Sequence, residues 1–282
     1  MSGAVSTGVP RTAVVSTGPS RSALATGLLR SEWTKLRSLR STRWALALLV
    51  VLTLGFAALF LGLIADQWET LAPAQRTAVL LDPGARILGS GLQLGQLTVC
   101  VLGVLMVTRE YSSGTIRASL LAVPARTPLL AAKAAVFAAV IVVVGEVTAF
   151  ATFALGESIL HSRAPVSLDD PGVLRAVIGA GLYLAVLGVF ALAVGTLVRH
   201  TAAAVTGIIG FILVLAPLAN LLPGSFGRCL HAYLPAEAGQ LIAFPHRVPG
   251  GVLSAWQGFA VFVMWTAVLL LAAGALLHRR DA

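Results

Sequence analysis

The chain has 282 residues, of which 57% are hydrophobic and only 11% charged, and its formal net charge is +9. Soluble domains carry about a quarter charged residues and somewhat under half apolar ones, so this chain has too little polar surface for a water-soluble fold. The composition excludes a soluble enzyme and a disordered chain, and it indicates an integral membrane protein.

The N-terminal region precedes the first long apolar run. Residues 1–27 are rich in Ser, Thr, Gly and Ala and lack an apolar core of signal-peptide length, so we expect a disordered cytoplasmic tail. Residues 28–43 combine apolar residues at helical spacing with basic ones, which predicts an interfacial amphipathic helix in the headgroup plane. The predicted apolar stripe is Leu28, Leu29, Trp33, Leu36 and Leu39. The alternative is an ordinary basic flank that only fixes topology.

Six long apolar runs follow, and five of them contain no charged residue. A helix needs about 20 apolar residues to cross the hydrocarbon core of a bilayer, whereas strands of a barrel would alternate over about ten residues. The runs do not alternate, so we predict an all-α integral membrane protein with six transmembrane helices. The membrane domain is predicted at 44–277, followed by a short tail at 278–282. The spans are predicted at about 44–65, 87–108, 129–155, 174–198, 201–222 and 254–277.

The distribution of basic residues predicts the orientation. With the N-terminus inside, Lys and Arg divide 14 to 6 between inner and outer segments, whereas Asp and Glu divide 3 to 7. The positive-inside rule therefore places both termini in the cytoplasm of a multi-pass plasma-membrane protein. Basic loop ends that meet anionic headgroups account for the high pI, and we expect no nucleic-acid partner. In the outer segment 223–253, we expect residues 230–244 to form a short re-entrant or surface helix.

The inner loop between the second and third spans carries the most informative pattern. Glu110 ends one helix, Gly114 permits a sharp change of direction, and Thr115 can cap a short helix that Pro124 stops. Arg117 would project from that helix. Such a segment suits docking into a groove of a soluble partner. From physics alone, a helix that rests on lipid and touches nothing is equally acceptable.

This pattern resembles the permeases of ABC-2-type exporters. Their motif is Glu, then Gly-Thr four residues on, an apolar run, Pro, Arg and a Lys that opens the next span. The chain matches it at Glu110, Gly114, Thr115, Leu120, Leu121, Pro124, Arg126 and Lys133. The segment from Glu32 to Arg37 is similar to actinobacterial-like members. Tyr111-Ser112-Ser113 departs from the more charged residues often found there.

The resemblance implies a membrane subunit that couples to a separate ABC ATPase and exports substrate. The residues implied in ATPase coupling are Glu110, Gly114, Thr115, Arg117, Pro124, Arg126 and Lys133. In this family a subunit with six spans forms only half of the translocation route, which implies a dimer with a second permease copy or a paralogue. ATP and Mg would be bound by the partner ATPase, and we expect no cofactor in this chain. The resemblance does not identify the substrate.

Three polar residues inside predicted spans are candidates for a translocation path. An ionised carboxylate at Glu146 costs a few kcal/mol unless it is paired or hydrated, which suggests either a substrate contact or a carboxyl bonded to a Thr or Gln of a neighbouring helix. Gln93 and Gln96 are polar enough to line a path, but such residues more often make interhelical hydrogen bonds. Gly91, Gly95 and the pair Gly188 and Gly195 are expected to allow close helix approach.

Other functional classes have weaker support. The sequence contains neither the H-E-x-x-H nor the G-x-S-x-G pattern, and no P-loop, so we expect no catalytic residues. His161, His231 and His246 lack a compact ligand motif, so we expect no metal site. An ion- or proton-coupled secondary transporter should show more intramembrane charge. An ABC-linked membrane subunit without solute export also remains an alternative.

Overall fold

The computed structural model describes residues 21–38, 40–112, 126–219, 221–222, 224–247 and 250–279. In this part of the chain the regular structure is helical, without strands. The helices are α1 (Arg21–Ser38), α2 (Arg40–Asp66), α3 (Pro73–Leu81), α4 (Pro83–Ser112), α5 (Arg126–Leu160), α6 (Val173–Val198), α7 (Thr201–Ala219), α8 (Gly224–Tyr233), α9 (Pro235–Gln240) and α10 (Ala255–Arg279).

Among the described residues, six of these helices are long and apolar enough to cross a membrane: α2, α4, α5, α6, α7 and α10. The predicted all-α fold class with six membrane-spanning helices is therefore confirmed. Several helices extend beyond the predicted spans, because polar residues at their ends continue the helix past the apolar run. Helix α7 contains a π-helical turn at Phe211–Leu215.

Successive spans alternate in direction, so the start of α2 and the end of α10 lie on the same side of the bundle. We call this side, where α4 ends and α5 begins, the termini side, and the opposite side the hairpin side. A Cβ atom on Gly274 of α10 would lie 2.8 Å from the Thr127 side chain of α5. The end of the last span is therefore packed against the start of the third.

The first helix differs from its prediction in extent, and the structure shows which of its residues are buried. It begins at Arg21 rather than at residue 28, because Ala and Leu between these positions favour helix. Leu28, Glu32 and Leu36 form its buried face, whereas Leu29 and Trp33 are 41% and 50% exposed. The lipid-facing role predicted for the stripe stays a prediction, and its Leu39 and residues 1–20 of the predicted tail lie outside the described residues. The exposed Trp33 ring suits the membrane–water boundary.

Helix α6 is the centre of the bundle. In its most apolar stretch 78% of residues are buried, against 22% in α2. Its small residues allow this, because they let neighbouring backbones approach closely. A Cβ atom on Gly195 would lie 3.2 Å from Val104 of α4, and one on Gly188 would lie 3.0 Å from the Phe137 ring of α5. The close contacts of α6 with α4 and α5 fix the bundle around it.

The segment between α7 and α10 folds back into the bundle on the hairpin side. The Gln240 side chain at the end of α9 donates a hydrogen bond to Gln96 of α4 (3.0 Å) and lies 3.3 Å from the Tyr183 hydroxyl of α6. Tyr183 is ten residues after the start of α6, about 15 Å along the helix. Residues 235–243 of the segment are therefore packed into the bundle, whereas α8 is mostly exposed. Arg175 supports the return of the segment by donating hydrogen bonds to the carbonyls of Ile242, Phe244 and Pro245.

Candidate functional site

The candidate site lies on the termini side, where α4 ends and α5 begins. The loop between these helices carries the motif singled out in the sequence, and residues 113–125 of it are outside the described part of the chain. Glu110 precedes that segment by three residues, and Lys133 lies on the second turn of α5. These two residues therefore mark the helices on either side of the loop.

An ion-pair network joins these two helices to α1. The Lys133 ammonium donates hydrogen bonds to Glu32 Oε2 (2.7 Å) and to Glu110 Oε1 (2.6 Å). Lys35 donates to Glu32 Oε1 (2.6 Å), and its ammonium is 3.8 Å from Glu110 Oε1. Two carboxylates and two ammonium groups thus balance one another, so that three helices meet at one neutral cluster.

The core of this network is shielded from solvent. The side chains of Lys133 and Glu32 are 5% and 2% exposed, and that of Glu110 is 17% exposed. Burial alone would raise the pKa of Glu32, but Lys133 and Lys35 more than offset this effect and hold that pKa below its usual value of 4.5. Because a buried charge that loses its partner is costly, the network favours one position of α1 against α5.

Apolar packing supports the same arrangement. Leu28, one helical turn before Glu32, forms a buried cluster with Leu129 and Ala132 of α5. Lys133 lies four residues after Leu129 on α5, so the apolar cluster and the ion pair are neighbours on the same helix face. Helix α1 is therefore positioned by a hydrophobic contact and a charged one together.

Three consecutive residues at the end of α4 contact three different elements. Arg109 donates a hydrogen bond to the Ser41 hydroxyl of α2 (2.9 Å), while Glu110 binds Lys133 of α5. The Tyr111 ring lies under the Arg199 guanidinium, 5.2 Å from its centroid. Arg199 has φ 58 in the turn between α6 and α7, a conformation that few non-glycine residues adopt. A displacement of the end of α4 would therefore disturb its contacts with α2, with α5 and with this turn.

The structure brings together only some of the residues proposed for coupling. Glu110 and Lys133 are in direct contact, and Arg126 is the first residue of α5. Gly114, Thr115, Arg117 and Pro124, with the short helix predicted around them, lie outside the described residues. Their assignment stays a prediction from the sequence.

Glu32 is the member of the network that the sequence does not single out as a site residue. In the sequence it belongs only to the resemblance, although it lies between Leu28 and Leu36 at spacings of four residues. An acid in the middle of a buried helical stripe must find a cation. That signal was present, but the partner, Lys133, is 101 residues away.

Two of the three candidates for a translocation path share a cavity on the hairpin side. Gln93 and Gln96 line a cavity of about 430 Å³ together with Phe56, Phe60 and Gln240. Gln96 accepts a hydrogen bond from the Tyr183 hydroxyl (2.9 Å) as well as from Gln240. Gln93 is exposed, whereas Gln96 is buried, so Gln96 also holds helices together.

Glu146 does not line that cavity. Its carboxyl group lies against Gly181 of α6, where a Cβ atom would be 2.5 Å from the carboxyl carbon. The expected hydrogen bond to a Thr or Gln is not seen among the described residues, and Oε2 is buried without a partner there. Gly181, which has no side chain, leaves the room that the Glu146 carboxyl group occupies between α5 and α6.

The histidines outside the spans have separate neighbours. His231 lies 3.4 Å from Glu237, and His246 lies 3.1 Å from Asp82. Among the described residues, no group of three or more His, Cys, Asp or Glu side chains is arranged to hold a metal ion. Cys100 is buried and Cys229 exposed, and both are free thiols.

Comparison with known proteins agrees with the helical architecture. A family model described as "ABC-2 family transporter protein" matches residues 28–217, about two thirds of the chain. The match includes α1 from residue 28, the first four spans, all but the last two residues of the fifth span, and the ion-pair network. A comparison with curated proteins found no match.

Proposed function

We propose that this chain, which belongs to the ABC-2 family of transporter proteins, is the permease subunit of an ATP-driven exporter. The family and the six candidate spans make it a multi-pass, permease-type membrane transport component. The family also implies an ABC ATPase partner and often a dimer. The proposal adds that both termini are cytoplasmic, that the ATPase contacts the loop between α4 and α5, and that substrate moves outward.

The network of Glu32, Glu110 and Lys133 is the observation that best supports this proposal. It ties the helices on both sides of the loop to α1, which lies across the termini side. An ATPase that pushed on the loop would move the ends of α4 and α5, and the network would pass this movement to α1. In this scheme ATP and Mg are bound by the partner. The route would be completed by a second permease copy or a paralogue.

The first experiment asks whether a P-loop ATPase copurifies with the tagged full-length chain from native membranes. We expect an ATPase to copurify with the wild type, and Glu110→Gln to weaken its retention or alter its ATP turnover in nanodiscs. Glu69→Gln is the matched control, because Glu69 is 75% exposed on the hairpin side and makes surface ion pairs with Arg76 and Arg163. Absence of any P-loop ATPase from the purified complex would overturn the proposal.

A second experiment tests coupling at the loop itself. Gly114→Pro should leave membrane insertion intact but separate ATP turnover from transport, since the turn it restricts would no longer transmit movement. Vectorial, ATP-dependent efflux from vesicles then distinguishes an exporter from an ABC-linked subunit that exports no solute. Normal transport by Gly114→Pro would show that the coupling assignment is wrong.

A further inference from the structure

We infer that a cavity beside the ion-pair network binds an anionic phospholipid from the bilayer leaflet on the termini side. The cavity has a volume of about 400 Å³ and lies between α1, α2, α4 and α5. This inference concerns a site distinct from the cavity around Gln93 and Gln96, and it does not depend on the proposed ATPase coupling.

The cavity has one charged end and one apolar wall. Lys35, Arg109 and the buried network line the charged end, whereas Leu105, Met106 and Val140 belong to the apolar wall. The lining extends along α4 from Glu110 to Leu102, a distance of about 12 Å at 1.5 Å per residue. A molecule that fills it therefore needs a polar head and an apolar tail.

The apolar wall can be reached from the surrounding membrane. Leu46, Leu105, Met106 and Val140 are all partly exposed rather than sealed in the core. The charged end is formed at the helix ends on the termini side, which is the level of lipid headgroups. A lipid of that leaflet can thus enter sideways with its head already at the correct depth.

The charge at the mouth favours an anion. The two carboxylates of the network are balanced by Lys35 and Lys133, which leaves the Arg109 guanidinium as an additional positive charge. Among the described residues, Arg109 makes no ion pair, and its hydrogen bond goes to the neutral Ser41 hydroxyl. The phosphate of an anionic lipid at this position would accept hydrogen bonds from Arg109 and, because its headgroup carries no cation to neutralise it, would also supply the missing negative charge.

Headgroup charge, rather than the tail, should give the selectivity. Lipid tails are as apolar as the side chains of the wall, so they gain little by moving from the bilayer into the cavity. A zwitterionic lipid fits the wall equally well but brings no net negative charge. The comparison of anionic with zwitterionic lipids is therefore the decisive measurement.

The test uses the full-length protein in nanodiscs that contain phosphatidylglycerol or phosphatidylcholine with the same photoreactive tail. After illumination, mass spectrometry locates the crosslinks. We expect the anionic probe to label the wall around Leu105, Met106 and Val140 about fivefold more than the zwitterionic probe, as one Arg contact would give. Equal labelling by the two lipids, or no labelling at the wall, would overturn the inference.

Two pairs of variants separate the site from general attraction to the membrane surface. Arg109→Gln should abolish the preference for the anionic probe, whereas Arg43→Gln, which removes an exposed cation outside the cavity, should leave it unchanged. Met106→Trp should reduce labelling by both probes because it fills the cavity, whereas Val143→Trp alters a side chain that is 63% exposed elsewhere on α5. If Arg109→Gln does not fold, the comparison of Met106→Trp with Val143→Trp decides whether the probes occupy the cavity. A preference that survives Arg109→Gln, or equal effects of the two Trp variants, would contradict the assignment.

Discussion

The Lys133 ammonium lies 2.7 Å from the Glu32 carboxylate, although 101 residues separate them in the sequence. This contact joins a helix that precedes the first span to the third span, and Glu110 joins the second span to the same ammonium. Lys133 is therefore the residue that links three helices by ion pairs on the termini side.

Replacement of Lys133 should destabilise the protein more than replacement of the other lysine. Lys133→Met leaves Glu110 without its close partner and removes one of two cations from the buried Glu32, which costs about 3–5 kcal/mol for a buried pair. Lys35→Met is the control, because Lys35 is 43% exposed and its loss leaves both Glu32 and Glu110 paired with Lys133, so we expect a smaller cost of about 1 kcal/mol. Thermal unfolding in detergent, followed by loss of monodisperse protein, measures the difference. Equal losses for the two variants would show that the network is not buried.

The lowered pKa of Glu32 predicts a dependence of stability on pH. Because its pKa is lower in the folded than in the unfolded protein, its stabilisation is fully present above the unfolded value of 4.5 and is lost as pH falls through the folded value. Glu32→Gln should therefore flatten the decline in unfolding temperature below pH 4.5. Glu69→Gln, an exposed acid on the hairpin side, should leave the profile of the wild type unchanged. An unaltered profile in the Glu32 variant would contradict this origin of the acid sensitivity.

Close packing of α4 against α6 predicts opposite effects for two glycines of the same helix. A Cβ atom on Gly103 would collide with the Gly188 carbonyl oxygen and lie 2.8 Å from Ala191 Cβ, whereas one on Gly89 would meet nothing within 4 Å. Gly103→Ala should cost about 1–3 kcal/mol through overpacking. Gly89→Ala should be neutral or stabilising by up to about 1 kcal/mol. Membrane abundance and thermal unfolding compare the two, and a tolerated Gly103→Ala would show that α4 and α6 are less closely packed.

The proposed orientation predicts which engineered thiols can be labelled from outside the cell. In a Cys229→Ser background the remaining Cys100 is buried, so a maleimide reacts with the cysteine that has been added and not with a native one. A membrane-impermeant maleimide should label Asp169→Cys, on the hairpin side, in intact cells. Ser112→Cys, on the termini side, should react only after permeabilisation. The reverse pattern would place the loop between α4 and α5 outside the cytoplasm and would exclude its contact with a cytoplasmic ATPase.

The candidate site could be predicted only in part. The motif located Glu110 and Lys133, because both are charged residues next to long apolar runs. It did not identify Glu32 as their partner, since a sequence separation of 101 residues carries no information about contact. Likewise Gln96 was recognisable as a polar residue in a span, but its partners Tyr183 and Gln240 come from helices whose packing no local pattern specifies.

What the sequence by itself determined is the membrane class, the six apolar helices and the family. The membrane class and the six helices follow from composition and run length, because a bilayer accepts only segments that satisfy their own backbone hydrogen bonds, whereas the family was indicated by the resemblance of the motif around Glu110. Tertiary structure alone decided which face of α1 is buried, that residues 235–243 pack into the bundle, and that Glu32, Glu110 and Lys133 form one network. Such features depend on how helices pack, and packing is set by the shapes and charges of residues far apart in the chain.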